Sequence, residues 1–171
     1  VEVWSLPLHH RVPCAGFLFK EKQALPHIRR EMIDAFNIPI SQINNIKAGA
    51  SWTTEDGTFI PHERLTFPAE PARSYAYCSD TRYTPRLAEM IQGVDLLYHE
   101  ATFPHEMLTQ AQKTMHSTSI EAAMMAKSAG AAKLLIGHYS ARIKNESPLL
   151  EEAKSVFPNT ILAQEGVKIR I

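Results

Sequence analysis

Ser74–Asp80 (SYAYCSD), Asp95–Glu100 (DLLYHE) and Lys133–His138 (KLLIGH) are short apolar runs, each closed by a residue able to bind a metal or move a proton. A parallel strand buried on both faces has this continuous apolar texture, and open α/β sheets gather their chemistry beyond the strands' carboxyl ends. The runs are therefore read as parallel strands that bring Asp80, Glu100 and His138 to one edge. Amphipathic segments alternate with them, as in βαβ units. One spans Pro85–Gln92 and stops at Gly93. A second opens at Thr118, whose spacing to Glu121 is that of a capping box, and leaves through Gly130. A third has Ser147 and Pro148 at its N-cap and first helical positions and ends before Pro158. Short runs at Thr160–Ala163 and Val167–Ile171 complete the pattern.

Upstream, Val1–Leu8 and Ala15–Lys20 read as two strands around the turn His9–Cys14. Ala24–Phe36 carries a helical pattern through Leu25, Ile28, Met32, Ile33 and Phe36. Residues 37–71 differ in texture, with several prolines, a turn signal at Thr54–Gly57 and little sustained periodicity, and are read as a protruding excursion.

The 171 residues hold 18 basic and 18 acidic side chains, so no global basic field advertises a nucleic acid and any such partner would be held by local Arg and Lys. Cys14 and Cys78 have neither disulfide-framework nor CxxC spacing, which fits a reducing compartment. No run reaches the ~18 apolar residues of a membrane helix. A cytoplasmic protein with no membrane partner is expected.

Each candidate site residue has two readings on its own. His10 is a solvated turn histidine or a ligand. Asp80 caps the helix near Pro85 or completes a metal shell. His138 is a core-edge histidine bonded to backbone or a second ligand. Glu100 is less open, because an ionised carboxylate after Leu96, Leu97 and Tyr98 is costly unless paired. His116, just before the capping box, is a candidate partner for Glu100, and His99 is a second ligand or, the reading preferred, the face-alternating neighbour of Glu100. Arg82 and Arg142 are phosphate contacts or surface ion pairs.

Cys78–Arg82 (CSDTR), His99–Phe103 (HEATF), His116–Thr118 (HST) and Gly137–Arg142 (GHYSAR) resemble the ordered signatures of ribonuclease Z, a tRNA 3′-processing family of the metallo-β-lactamase superfamily. The resemblance implies an α/β fold, the carboxyl-terminal half of an αββα sandwich with a mixed sheet flanked by helices and an inserted arm at 37–71. It implies His10, Asp80 and His138 as ligands of two zinc ions, with manganese also accepted, Asp80 bridging them. Glu100 and His116 would be the family's proton-handling pair, and precursor tRNA the substrate. The family's Gly-Pro pair in the arm is replaced by Ser41–Gln42.

The superfamily's His-x-His-x-Asp-His loop occurs nowhere in the sequence. The chain is therefore expected to be half of a larger enzyme, itself inactive, and to form a homodimer through the sheet face the other half would cover. Two other classes compete: a different binuclear phosphodiesterase of this fold, such as a cyclic-nucleotide phosphodiesterase or arylsulfatase relative, and a non-catalytic binding or assembly module.

Overall fold

The computed structural model describes residues 1–171. In chain order the elements are β1 (Glu2–Leu8), β2 (Cys14–Lys20), β3 (His27–Ile28), α1 (Arg30–Ala35), α2 (Ile40–Lys47), β4 (Trp52–Thr53), β5 (Phe59–Ile60), α3 (His62–Leu65) and β6 (Thr66–Phe67). There follow β7 (Ser74–Cys78), α4 (Pro85–Met90), β8 (Leu96–Glu100), a 3-10 turn at His105–Met107, α5 (Leu108–Thr114), α6 (Ser119–Ala129), β9 (Lys133–Gly137), α7 (Ser147–Val156) and β10 (Thr160–Leu162). The chain divides into two compact units, Val1–Glu21 with Arg73–Ile171, and Lys22–Ala72. No helix is long and apolar enough to cross a membrane.

In the larger unit six strands form one mixed sheet in the order β1-β2-β7-β8-β9-β10. β2 runs antiparallel to both β1 and β7, and β7 to β10 are mutually parallel. Five strands, β1 included, therefore end at the same edge. The crossovers advance steadily across the sheet, and right-handed connections that advance one way lay their helices on one face. That face holds the core: Leu6, Leu18, Ala76, Cys78, Leu97, Leu134 and Ile136 from the strands meet Leu87, Met125 and Leu149 from the helices. The alanines 122, 123, 126 and 129 of α6 let it lie close on the sheet, which small side chains permit.

The opposite face is aromatic. Phe17, Phe19, Tyr75, Tyr77 and Tyr98 fall on it by register, with Phe19 stacked on Tyr75 at 5.8 Å and Tyr77 on Tyr98 at 4.8 Å. Phe17 and Tyr77 remain exposed.

The smaller unit has its own core of Ile38, Ile46, Ile60 and Leu65, with Phe36 and Trp52 packed against it. The Thr54–Gly57 turn joins β4 to β5. The helical pattern expected over Ala24–Phe36 survives only as α1. Pro26 cannot donate into a helix, and His27–Ile28 pair instead with Thr66–Phe67. Helices α2 and α5 were not foreseen, and Val167–Ile171 forms no strand.

Candidate active site

The loops leaving β1, β7, β8 and β9 meet at the shared sheet edge. The first two are stitched together, His9 N–H donating to Thr81 Oγ1 at 3.1 Å and Arg82 N–H to the His9 carbonyl at 3.1 Å. This places His10 beside the group that follows β7. Asp80 and His138 each sit in the first turn after a strand in left-handed backbone, at φ 59° and 58°. Non-glycine residues adopt that region at a cost of roughly 1–2 kcal/mol. The outcome is that His138 Nε2 approaches Asp80 Oδ1 to 3.3 Å.

Glu100 ends β8 and is fully buried. Its carboxylate is satisfied on every side. Oε1 accepts from Thr81 N–H at 2.5 Å, while Oε2 accepts from Thr102 Oγ1 at 2.6 Å and Ser117 N–H at 3.0 Å. His116 Nδ1 lies 3.0 Å from both oxygens. A carboxylate has about four lone-pair positions, so this one has nothing left for a metal. Glu100 is thereby an orienting group for His116, whose Nε2 is the nitrogen left for other partners.

His116 is set by the end of α5, where Met115 takes left-handed backbone at φ 59° and His116 N–H returns to the Ala111 carbonyl at 2.9 Å. The Met115 carbonyl in turn accepts from His10 Nδ1 at 3.1 Å, which leaves His10 Nε2 with a free lone pair. The His116 ring lies 4.9 Å from that of His10, stacks on His138 at 5.3 Å and meets the edge of Phe103 at 6.3 Å. One ligand atom from each of His10, Asp80 and His116 falls within 4.8 Å of the others, as does one from each of Glu100, His116 and His138.

By donor type His10, Asp80 and His138, two imidazoles and a half-exposed carboxylate, suit a divalent ion, but the structure does not gather the three as one set: Asp80 groups with His10 and His116, and His138 with Glu100 and His116. The 3.3 Å between His138 Nε2 and Asp80 Oδ1 is about the spacing of two atoms bound at 2.0–2.1 Å to one tetrahedral centre. Arg82 and Arg142 are exposed and make no ion pair, on the loops after β7 and β9. His99 faces the other way, fully buried under the helices with its Nδ1–H on the Glu100 carbonyl at 2.8 Å. Thr102, part of the HEATF stretch but not singled out in the sequence, joins the two pairs by contacts of its hydroxyl with Glu100 and His138.

The chain is 50% identical over 171 residues to the curated Ribonuclease Z of Bacteroides thetaiotaomicron, covering all of this chain and 54% of that protein. The sequence resembles ribonuclease Z along its whole length. Ribonuclease Z of Phocaeicola vulgatus is 52% identical over 167 residues, and that of Cytophaga hutchinsonii 42% over 167. The chain spans about half the length of these ribonuclease Z relatives, a match consistent with their carboxyl-terminal half. No family model matches it. Among solved structures, the metallo-β-lactamase fold protein YhfI from Bacillus subtilis superposes with a TM-score of 0.60 at 19% identity, covering 96% of this chain and 47% of that one. Human tRNase Z, short form, gives 0.51 at 20% identity over 99% of this chain and 43% of that one. At those identities the structural likeness establishes the fold, and the ribonuclease Z assignment rests on sequence.

Proposed function

We propose that this chain supplies part of the active site of a metal-dependent endoribonuclease. Its reaction is hydrolysis of the phosphodiester after the discriminator nucleotide of precursor tRNA, which releases the 3′ trailer. The observation that carries the reading is the Glu100–His116 pair beside Asp80 and His138. His10, Asp80 and His138 would hold the metal, zinc with manganese as a substitute. The chemistry that two such ions supply when bound is activation of water and neutralisation of phosphoryl charge.

The leaving 3′-oxygen of the tRNA ribose needs a proton. His116 Nε2–H gives it, with Nδ1–H held by the Glu100 carboxylate so that the donating nitrogen keeps its direction. The P–O3′ bond breaks as oxygen from water bonds to phosphorus, the water's proton passing to solvent, from which His116 is reprotonated. The products are a tRNA with a 3′-hydroxyl and a trailer with a 5′-phosphate. Arg82 and Arg142 contact the flanking phosphates through their paired guanidinium donors. Residues 37–71 are the segment that grips the tRNA.

The activity belongs to the longer protein. Three donors fall short of the four ligands of tight zinc, and a His-x-His-x-Asp-His segment would supply the remainder. The isolated chain is expected to be inactive and to pair as a homodimer through its aromatic face, and the enzyme to work in the cytoplasm. The test is incubation of the full-length protein and zinc with a 3′-extended tRNA and, separately, a small phosphodiester. One cut after the discriminator supports the reading. Turnover of the small ester alone would favour another binuclear phosphodiesterase, and turnover of neither would favour an assembly module.

A further inference from the structure

One buried hydroxyl touches both functional pairs. Thr102 Oγ1 lies 2.6 Å from Glu100 Oε2, 2.9 Å from His138 Nδ1 and 3.0 Å from the His138 carbonyl. It has a single proton to give. Donation to His138 Nδ1 would turn oxygen lone pairs toward an anionic carboxylate oxygen at 2.6 Å. Donation to Glu100 makes a short charge-assisted bond and leaves a lone pair to accept from His138 Nδ1–H. The second arrangement is the lower in energy, and the more distant His138 carbonyl takes at most a minor share of the proton. Nδ1 is then the nitrogen of His138 that the hydroxyl keeps protonated, and a lone pair on Nε2 facing Asp80 Oδ1 at 3.3 Å is an arrangement that a cation bound between the two relieves.

We propose that Thr102 is a positioning residue that selects this tautomer of His138 and ties it to the carboxylate that orients His116. The ligand role of His138 rests on the functional reading above; the tautomer does not. Two other features hold His138, its left-handed backbone and its stacking on His116 at 5.3 Å. Neither distinguishes one ring nitrogen from the other. Asp80 Oδ1, 3.3 Å from Nε2, is an acceptor that draws a proton to that nitrogen, so the Thr102 hydroxyl is the contact that favours the proton on Nδ1. Glu100 Oε2 keeps Ser117 N–H and His116 Nδ1 when that hydroxyl is removed, so the loss falls chiefly on His138.

The test uses the full-length protein, freed of metal and labelled with ¹⁵N-histidine, as wild type, Thr102→Val and Thr102→Ser. The nitrogen spectrum of His138 is recorded at mildly alkaline pH, and each protein is then titrated with zinc alone. Wild type and Thr102→Ser should show a protonated Nδ1 and a bare Nε2. Thr102→Val, of nearly the same shape, should show a mixture with Nε2–H and bind zinc about 10–100-fold more weakly. An Nε2-protonated His138 in the wild type would overturn the proposal whether or not the variants fold. Unchanged tautomer and zinc affinity in Thr102→Val would also overturn it, as would failure of Thr102→Ser to restore them. Cleavage of precursor tRNA by the same samples separates the two ideas. A protein with the Thr102-dependent tautomer that leaves the tRNA intact would defeat the functional reading and leave this one standing.

Discussion

At the scale of single residues, the site depends on which ring nitrogens are occupied. His10 Nδ1 is taken by a carbonyl and His116 Nδ1 by a carboxylate. Both rings therefore direct Nε2 outward, a choice no side-chain inventory conveys. His99 shows the same control in the core. Burial pushes its pKa below the usual 6.5, with its bond to the Glu100 carbonyl a smaller opposing influence. Near pH 6.5 the unfolded chain takes up a proton that the folded chain refuses, so the stability contributed by neutral His99 is present above that pH and lost as pH falls below it. Denaturant midpoints measured between about pH 7 and pH 5 should decline, and His99→Asn should flatten the decline while keeping an N–H for the Glu100 carbonyl. An unaltered slope in the variant would place the acid sensitivity elsewhere. Much of this site was legible: a buried carboxylate demands partners, which marks Glu100 and looks for a neighbour such as His116. His10 carried weight only through the family resemblance, because a turn histidine has no distinguishing signal of its own. Thr102 lies inside the HEATF signature but received no role of its own, since a hydroxyl is cheap in any environment that hydrogen-bonds it.

Among the elements, α6 was the most readable because its ends are written in chemistry. Thr118 Oγ1 accepts from Glu121 N–H at 3.2 Å and Glu121 Oε2 accepts from Thr118 N–H at 2.9 Å, while Gly130 leaves at φ 61°. Removing half of that box with Thr118→Ala should cost about 1 kcal/mol in urea unfolding. A loss within error would mean that the sheet alone holds the helix start. α5 was illegible for the converse reason. Its seven residues, LTQAQKT, have a single buried position, Ala111, and no side-chain cap. Yet α5 matters to the site, because its left-handed exit at Met115 aims His116 and supplies the carbonyl for His10. In α2, Ile40 is 85% exposed and Ile46 is buried, so the hydrophobic pattern misstates which side faces the small core. Helix α7 begins at Ser147 with Glu146 as its cap, one residue from the reading that made Ser147 the cap.

At the scale of the whole molecule, the sheet has one face under helices and one face of partly exposed aromatic rings. The family resemblance led to the expectation of a sheet face left for another half to cover, but Ser74–Asp80 was read as buried on both faces, and that the open face is the aromatic one of β2, β7 and β8 shows only in the register. Without a cover, the isolated chain should self-associate in sedimentation experiments, and Phe17→Ser with Tyr77→Ser should reduce the association. A concentration-independent monomer would contradict this. The same packing fixes the alkaline limit. Burial pushes the Cys78 thiol from 9.0 up to about 12, and pushes the hydroxyls of Tyr75, Tyr98 and Tyr139 from 10.0 to about 12, with neighbouring tyrosines adding to Tyr75 and Tyr98. The unfolded chain gives up these protons first, so the stability is whole below about pH 9 and is lost as pH climbs toward 12. Denaturant midpoints should fall steadily over that range, and Cys78→Ala should reduce the fall. The central claim is that His116, steered by Glu100, protonates the leaving oxygen. It is tested most directly with the full-length protein, wild type and His116→Ala, on two precursor tRNAs whose scissile bond carries either the natural 3′-oxygen or a 3′-sulfur, which leaves without a proton. The expected result is a loss of at least ~10²-fold with oxygen and little loss with sulfur. Equal losses on both substrates would contradict proton donation by His116.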